Sequence, residues 1–148
     1  HCVMTTTTAN VAKVMAQMEF AHQALFPDLD VTYVSVTEQW AQMAVLYPRH
    51  FIGERFEKIL AKHGVPVDVA RNHNNRVRAD HDAVRFLSMH SAKGLEFPCV
   101  AIGGLGELKK AEDIEDDVRL TYVAITRATH EAFITYSNMS ELVGRLVV

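Results

Sequence analysis

Two spacings of apolar residues organise this chain of 148 residues. A continuous apolar run predicts a buried strand at residues 43–47, because the strands of a parallel sheet are covered on both faces, and residues 84–89 and 99–102 are two further candidates for buried strands. Helical spacing predicts helices at 10–25, 53–63 and 115–128, with a short closing helix at 142–146. Shorter extended segments are predicted at 2–7, 31–36, 65–67 and 133–136. Strands that alternate with helices are typical of βαβ units, so we predict a single α/β domain over residues 1–148 with a mainly parallel sheet.

Residues 71–82 follow neither spacing. They are rich in arginine, asparagine and histidine and contain almost no apolar side chains. Such a stretch between two periodic regions predicts an exposed loop or hinge.

Composition narrows the class of protein without deciding its function. Hydrophobic residues make up 49% of the chain, which contains only 4 prolines and 7 glycines, so a compact domain is favoured over a disordered segment. No apolar run reaches the roughly 18 residues of a membrane span. We therefore expect a cytoplasmic protein that has no contact with membranes. The net charge of −3 restricts any contact with nucleic acid to a local surface.

Two polar segments contain the most informative residues. The first is His90-Ser91-Ala92-Lys93-Gly94-Leu95-Glu96-Phe97, and the second is Tyr122-Val123-Ala124-Ile125-Thr126-Arg127-Ala128. Both place charged groups where a buried element meets a loop, which is where soluble domains keep functional groups. In this order they resemble motifs V and VI of the UvrD/Rep-type superfamily 1 DNA helicases, ATP-driven motors that move on single-stranded DNA. The resemblance implies a three-layer RecA-like fold and the second of two motor lobes.

The resemblance also implies which residues would contact ATP. Arg127 matches the family's arginine that senses the γ-phosphate, a role that suits a permanently charged, forked guanidinium. Glu96 matches the glutamate that contacts the nucleotide sugar, and Gly94 would let the backbone approach nucleotide or DNA. An arginine considered in isolation at position 127 would more often cap the end of a helix.

Three further residues are implied as contacts to single-stranded DNA. Ser88 and His90 lie where the family has a threonine and a histidine that touch the DNA backbone. Contacts of this kind hold the register of the strand without reading its sequence. Lys93 either contacts a phosphate or supports the loop.

A weaker resemblance, to motif IV, involves Tyr47 and Arg49. In that motif a tyrosine stacks near the adenine, and the arginine that follows it approaches the phosphates. Here Pro48 separates the two residues, and its fixed φ can redirect the side chain that follows. The alternative interpretation is a buried strand end followed by a surface arginine.

The sequence lacks the G-x-x-x-x-G-K-[ST] pattern of a P-loop. The run Gly103-Gly104-Leu105-Gly106 continues with Glu107 and Leu108, so it predicts only a turn at a strand end. ATP and Mg²⁺ would then be held mainly by an N-terminal lobe of the same polypeptide, and this chain alone is expected to be inactive. The short connection between residues 65 and 88 leaves no room for an accessory domain inserted in this lobe.

Two other classes of function stay open. A degenerate or stand-alone lobe would bind DNA or a protein partner without acting as a motor. A hydrolase or nuclease of unrelated mechanism is disfavoured, because the sequence has no G-x-S-x-G elbow and no acidic metal cluster. No metal site is predicted, since His73 and His81 lack ligand spacing to each other or to cysteine.

Overall fold

The computed structural model describes residues 2–3, 31–32, 40–70, 74, 80–108, 114–136 and 138–147. The strands in these ranges are β1 (Cys2–Val3), β2 (Val31–Thr32), β3 (Met43–Tyr47), β4 (Val67–Val69), β5 (Val84–Ser88), β6 (Phe97–Ile102) and β7 (Ala128–Ile134). The helices are α1 (His50–Lys62), α2 (Ile114–Ile125) and α3 (Glu141–Val147). Short 3₁₀ turns at Trp40–Gln42 and Leu105–Glu107 precede β3 and follow β6.

The main sheet has five strands in the order β4-β5-β3-β6-β7, and every neighbouring pair is parallel. The central strand β3 pairs with β5 on one side and with β6 on the other. β1 and β2 form a separate two-stranded parallel pair. Parallel strands need crossover connections, and helix α1 provides the one from β3 to β4.

Alternate residues of β3 contribute to two different hydrophobic clusters. Met43 and Val45 pack with the apolar side of α1, which includes Phe56 and Leu60. Ala44 and Leu46 face the opposite way, into a cluster completed by residues of α2 and α3 such as Ala124 and Leu142. All five residues of β3 are buried because helices cover both faces of the sheet. The result is a three-layer α/β domain, as predicted.

Helix α1 begins and ends where its sequence allows. Its buried side chains Ile52, Phe56 and Leu60 recur at a spacing of four, so they form one stripe against the sheet. After Lys62 the chain leaves the helix through His63 and Gly64, and Gly64 has a φ of 75°. Glycine favours this left-handed conformation, which explains its place just after the helix.

Several boundaries differ from the sequence prediction. The strand predicted at 133–136 begins at Ala128 instead, and the helix before it ends at Ile125. β7 is an edge strand whose residues Thr129 and His130 are exposed, so its first half lacks the apolar run that marks a buried strand. Helix α1 begins three residues earlier than predicted, at His50. The prediction of a parallel sheet with buried central strands is confirmed.

Some predictions fall on residues that the structure does not describe. The helix predicted at 10–25 and most of the strand predicted at 31–36 lie outside the described residues. The same holds for most of the predicted loop at 71–82, of which the described Asn74, Asp80, His81 and Asp82 are exposed. Within the ranges given above, no helix is both long enough and apolar enough to cross a membrane.

Candidate functional site at two edges of the sheet

The predicted functional residues lie at opposite edges of the parallel sheet. We define the carboxyl edge as the end where β3 and β5 finish, at Tyr47 and Ser88, and the amino edge as the end where β6 and β7 begin, at Phe97 and Ala128. Tyr47 lies one residue past the pair formed by Leu46 and Ile102, and Phe97 lies five residues before Ile102. At roughly 3.3 Å per residue the two edges are about 20 Å apart. Residues 89–96 connect them.

At the carboxyl edge, Ser88 organises the turn that follows β5. The hydroxyl oxygen of Ser88 accepts a hydrogen bond from the amide of Ser91 at 3.1 Å, and the two serine hydroxyls are 2.8 Å apart. The carbonyl of Ser88 accepts bonds from the amides of Ser91 and Ala92. Ser88 therefore acts like the N-cap of a single helical turn. A threonine, which the family has here, keeps the same hydroxyl.

This turn presents its polar residues to solvent and buries its apolar ones. His90 and Lys93 are exposed, whereas Met89 and Ala92 are fully buried. The amide of Met89 donates to the carbonyl of Tyr47 at 3.0 Å, which fixes the start of the turn on the neighbouring strand. The turn thus holds an imidazole and an ammonium group at a defined place on the surface.

Gly94 ends the turn with a φ of 82°. A Cβ atom added to this residue would meet no atom within 4 Å. The glycine is therefore required by the backbone conformation and not by any close packing within the domain. Open space over Gly94 is compatible with the predicted approach of nucleotide or DNA, which stays a prediction.

At the amino edge, Arg127 joins the two motif segments. Its Nε donates to the carbonyl of Val123 at 3.0 Å, and its Nη1 donates to the carbonyl of Leu95 at 3.2 Å. In return, the amide of Phe97 donates to the carbonyl of Arg127 at 2.8 Å. The Nη2 atom lies 3.3 Å from the hydroxyl oxygen of Thr126. Two segments some thirty residues apart in sequence are thus joined by hydrogen bonds of a predicted site residue, Arg127.

The guanidinium of Arg127 keeps unused donors. A guanidinium has five N–H groups, and the three bonds just described take one from each nitrogen. One N–H on each terminal nitrogen is then left over by the bonds within the described part of the chain. Arg127 is half-buried, and the neighbouring Glu96 is exposed. The amino edge therefore presents a partly free guanidinium and a carboxylate at adjoining positions.

Tyr47 and Arg49 do not join that group, because they lie at the carboxyl edge. The Tyr47 side chain is only 2% exposed and packs on the backbone of Gly53, where an added Cβ would come within 2.5 Å of the ring. His50 approaches the same ring edge-on, with 6.0 Å between the ring centres. Arg49 is exposed. The topology thus brings Arg127 and Glu96 together and separates them from Tyr47 and Arg49, whose roles stay predictions from the resemblance.

Sequence reasoning missed the contribution of the backbone at this site. The carbonyl of Leu95 accepts a hydrogen bond from Arg127. Every residue type has a backbone carbonyl, so the sequence gives no signal for this contact. The buried ion pair between Arg85 and Asp68 was also missed. A signal for that pair was present, since each residue is a lone charge inside an otherwise apolar strand.

Metal-binding groups give no support for another kind of site. Among the described residues, no group of three or more His, Cys, Asp or Glu side chains is arranged to hold a metal ion. Cys99 is buried in β6 and is not part of a disulfide.

The fold and the two edges define a class of protein: a RecA-like α/β domain with an arginine at the amino edge of its sheet. Residues 69–139 match the family model described as the UvrD-like helicase C-terminal domain. The matched segment includes both polar segments and all of β5, β6, α2 and β7. Residues 69–139, just under half of the chain, therefore correspond to the C-terminal domain of UvrD-like helicases.

Individual relatives agree with this assignment over short stretches. The chain is 42% identical over 72 residues to the ATP-dependent DNA helicase PcrA of Bacillus subtilis, covering 43% of this chain and 10% of that protein. It is 40% identical over 74 residues to DNA helicase II of Escherichia coli, covering 45% of this chain and 10% of that protein. The chain thus spans about a tenth of the length of these helicases.

Two further similarities have a narrower meaning. A 46-residue stretch is 56% identical to the sarcosine oxidase subunit alpha of Rhizobium meliloti. It covers only 5% of that protein, so this similarity gives no reason to assign an oxidase activity. The crystal structure of the C-terminal domain of a possible DNA helicase from Lactobacillus plantarum superposes with a TM-score of 0.58. It covers 96% of this chain and 77% of that one at 21% identity, which supports the fold alone.

Proposed function

We propose that this chain is the second motor lobe of an ATP-dependent DNA helicase or translocase. In this proposal Arg127 reaches the γ-phosphate of ATP held on an N-terminal lobe of the same polypeptide, and Glu96 contacts the nucleotide sugar. Ser88, His90 and Lys93 contact the backbone of single-stranded DNA at the other edge of the sheet. The named relatives are ATP-dependent or DNA helicases, which supports the proposal without extending their activity to this chain.

The observation that carries the proposal is the fastening of Arg127 to the loop of the other motif. A transition-state arginine must be held in place before reaction, because its rate effect comes from charge already positioned where the phosphoryl group transfers. The bonds to Val123 and Leu95 hold the Nε and one Nη1 donor of Arg127 at the amino edge. One N–H on each terminal nitrogen is left to face an anion from outside the domain.

The residues present fit half of a nucleotide site. The arginine and the exposed carboxylate of Glu96 suit the γ-phosphate and the sugar of a nucleotide. No phosphate-cradling loop accompanies them in the sequence, so the cradle and the Mg²⁺ ligands would come from the partner lobe. ATP bound on that lobe would provide the phosphoryl group that is transferred, and this chain would contribute the positive charge of Arg127 beside that group.

The carboxyl edge suits a contact that holds DNA without reading its sequence. Hydroxyl and imidazole groups on a fixed turn can donate to phosphate oxygens, and Lys93 adds a positive charge. Because residues 89–96 start at this edge and end beside Arg127, one short connection joins both contacts. Closing the lobes on ATP would thereby move the DNA contacts as one body with the arginine.

The test is Arg127→Ala in the full-length polypeptide that contains this chain. We expect ATP turnover to fall by about 10³-fold or more, the usual effect of losing such an arginine. The affinity for a single-stranded oligonucleotide should change by less than about threefold, which is under 1 kcal/mol. The reason is that Arg127 lies at the edge opposite the proposed DNA contacts. Both are measured on the same preparation, by a phosphate-release assay and by fluorescence anisotropy.

Two controls make the result readable. Arg127→Lys keeps a charge but loses the fork, so turnover should also fall while the melting temperature changes little. Arg145→Ala removes an exposed arginine of α3 that is paired to Glu141, and turnover should not change. Turnover retained in the Arg127→Ala protein would contradict the proposal.

The alternative is a lobe that binds DNA without working as a motor. It predicts no DNA-stimulated ATP turnover in the unmodified full-length protein, together with intact binding of single-stranded DNA. The same two assays on the unmodified protein therefore separate the two functions.

A further inference from the structure

An open groove of about 340 Å³ lies between the turn after β5 and helix α2. One wall is the turn, which contributes Met89, His90 and Lys93. We call this space the α2 groove. Ligand sites of single small molecules commonly begin at about 300 Å³, so the groove is large enough for one nucleotide.

The other wall of the groove is one side of α2, and it combines apolar and charged groups. Leu120 and Val123 are half-buried and supply apolar surface, while Asp116 and Arg119 are exposed and supply charge. Leu120 and Val123 form an apolar floor over the buried Met89, and Lys93 and Arg119 provide positive groups on the two walls. An apolar floor with cationic walls suits a nucleobase attached to a phosphate.

The guanidinium of Arg119 is available for an incoming anion. It pairs with Asp116 at 3.1 Å and with Glu115 at 3.4 Å, but all three side chains are about 70% exposed. Exposed pairs of this kind contribute little to stability and are readily exchanged. A phosphate oxygen can therefore replace one carboxylate, and the freed Asp116 can accept a hydrogen bond from a base or from water.

We propose that the α2 groove binds one nucleotide of the unpaired DNA strand, with its base on the floor of Leu120 and Val123 and its phosphate between Lys93 and Arg119. The inference rests on the proposed function and adds Arg119 and the floor to the contacts named there. It also places DNA directly on the helix that ends beside Arg127, whose Nε bonds the carbonyl of Val123. Contacts with DNA and with ATP would then share α2 as well as the connecting turn.

The first experiment measures how the affinity for a thymidine oligonucleotide depends on salt in the full-length polypeptide. Arg119→Ala should weaken binding about tenfold at moderate salt, as expected for one charge-assisted contact. It should also lower the slope of log K against log[salt] by about 0.7, the amount for one phosphate contact on a single strand. Arg145→Ala is the matched control, because Arg145 is likewise exposed and paired to a glutamate four residues before it.

The second experiment tests whether a base occupies the floor. Leu120→Ala should weaken binding of the thymidine strand several-fold, because apolar contact with the base is lost. Binding of an oligonucleotide made of abasic units should be the same for Leu120→Ala and for the unmodified protein. A variant that was merely less stable would lose affinity for both strands, and that result would overturn the inference.

The outcomes separate this inference from the function on which it rests. If the unmodified protein binds single-stranded DNA and turns over ATP, but Arg119→Ala behaves like Arg145→Ala in affinity and slope, the groove is not a DNA site and the proposed function stands. If the unmodified protein neither binds DNA nor turns over ATP, the proposed function fails, and the inference fails with it. The inference is supported if Arg119→Ala lowers the salt slope while Arg145→Ala does not, and if Leu120→Ala loses affinity only for the strand that has bases.

Discussion

The two edges of the sheet are held together in different ways. At the carboxyl edge, the turn after β5 depends on bonds between near neighbours, such as those of Ser88 with Ser91. At the amino edge, the side chain of Arg127 reaches Leu95, 32 positions away in sequence. The first arrangement leaves His90 and Lys93 exposed, whereas the second half-buries the arginine that would act on ATP.

This difference suits the two tasks that we propose. A contact that must release and rebind a DNA backbone can be exposed and locally supported. A charge that must meet a transferring phosphoryl group gains from being fixed in advance, because no reorganisation is then needed at the moment of reaction. If the comparison is sound, a change in β4 or β5 should leave β6 and β7, beside which Arg127 is held, largely intact.

The largest effect on stability is expected from the buried ion pair between β4 and β5. Nη1 of Arg85 on β5 donates to Oδ2 of Asp68 on β4 at 2.7 Å, and the side chains are 3% and 6% exposed. Nη2 of Arg85 donates to the carbonyl of His81, which ties the end of the preceding loop to β5. Arg85→Ala leaves the Asp68 carboxylate buried without this partner, so we expect a loss of about 3–5 kcal/mol in urea unfolding.

The same variant tests whether β4 and β5 are independent of β6 and β7. Amide hydrogen exchange should rise in β4 and β5 of Arg85→Ala, while β6 and β7 keep their protection. Replacing both partners, as Arg85→Met with Asp68→Leu, should recover most of the lost stability, because no unpaired charge is left in the core. Equal loss of protection in all five strands would show that the sheet responds as one unit and that the comparison is wrong.

A smaller effect is expected where Tyr47 packs on helix α1. A Cβ added at Gly53 would lie 2.5 Å from the Tyr47 ring, so Gly53→Ala forces the ring to move. Overpacking of this kind costs about 1–3 kcal/mol, which exceeds the gain of at most about 1 kcal/mol from the better helix former. Urea unfolding measures the net loss. An unchanged midpoint would show that the ring is loosely held, and a nucleotide could then reach its face more easily than the 2% exposure implies.

How far the sequence predicts this molecule depends on burial. The strand at Met43–Tyr47 was predicted to the residue, because helices on both faces leave no polar position in it. The start of β7 was not, because Thr129 and His130 lie on an exposed edge and resemble a loop. The lone charge of Arg85 is visible in its apolar strand, but its partner Asp68 on β4 is known only from the structure.

The candidate site, too, could be predicted from the sequence only in part. Arg127, Glu96 and Ser88 were identified from the resemblance, whose motifs are short and local. Their separation into two edges follows from the strand order, which no local motif encodes. The sequence also left open whether Arg127 caps a helix or faces a phosphate, and the structure shows bonds of the capping kind to Val123 beside donors that are left over. Both roles are therefore compatible in one side chain.

The smallest effect is expected at Gly94, on the connection between the edges. Its φ of 82° costs an alanine about 1–2 kcal/mol, although the added Cβ would touch nothing within 4 Å. Gly144→Ala is the matched control, because Gly144 also has open space around it but lies inside α3, where alanine should stabilise by about 0.5–1 kcal/mol. Unfolding in urea gives both values. If Gly94 serves only the backbone conformation, affinity of the full-length Gly94→Ala protein for DNA and ATP should be unchanged below the unfolding range. A loss of affinity without a matching loss of stability would mean instead that a ligand approaches the backbone there, and the choice between DNA and ATP would show to which edge Gly94 belongs.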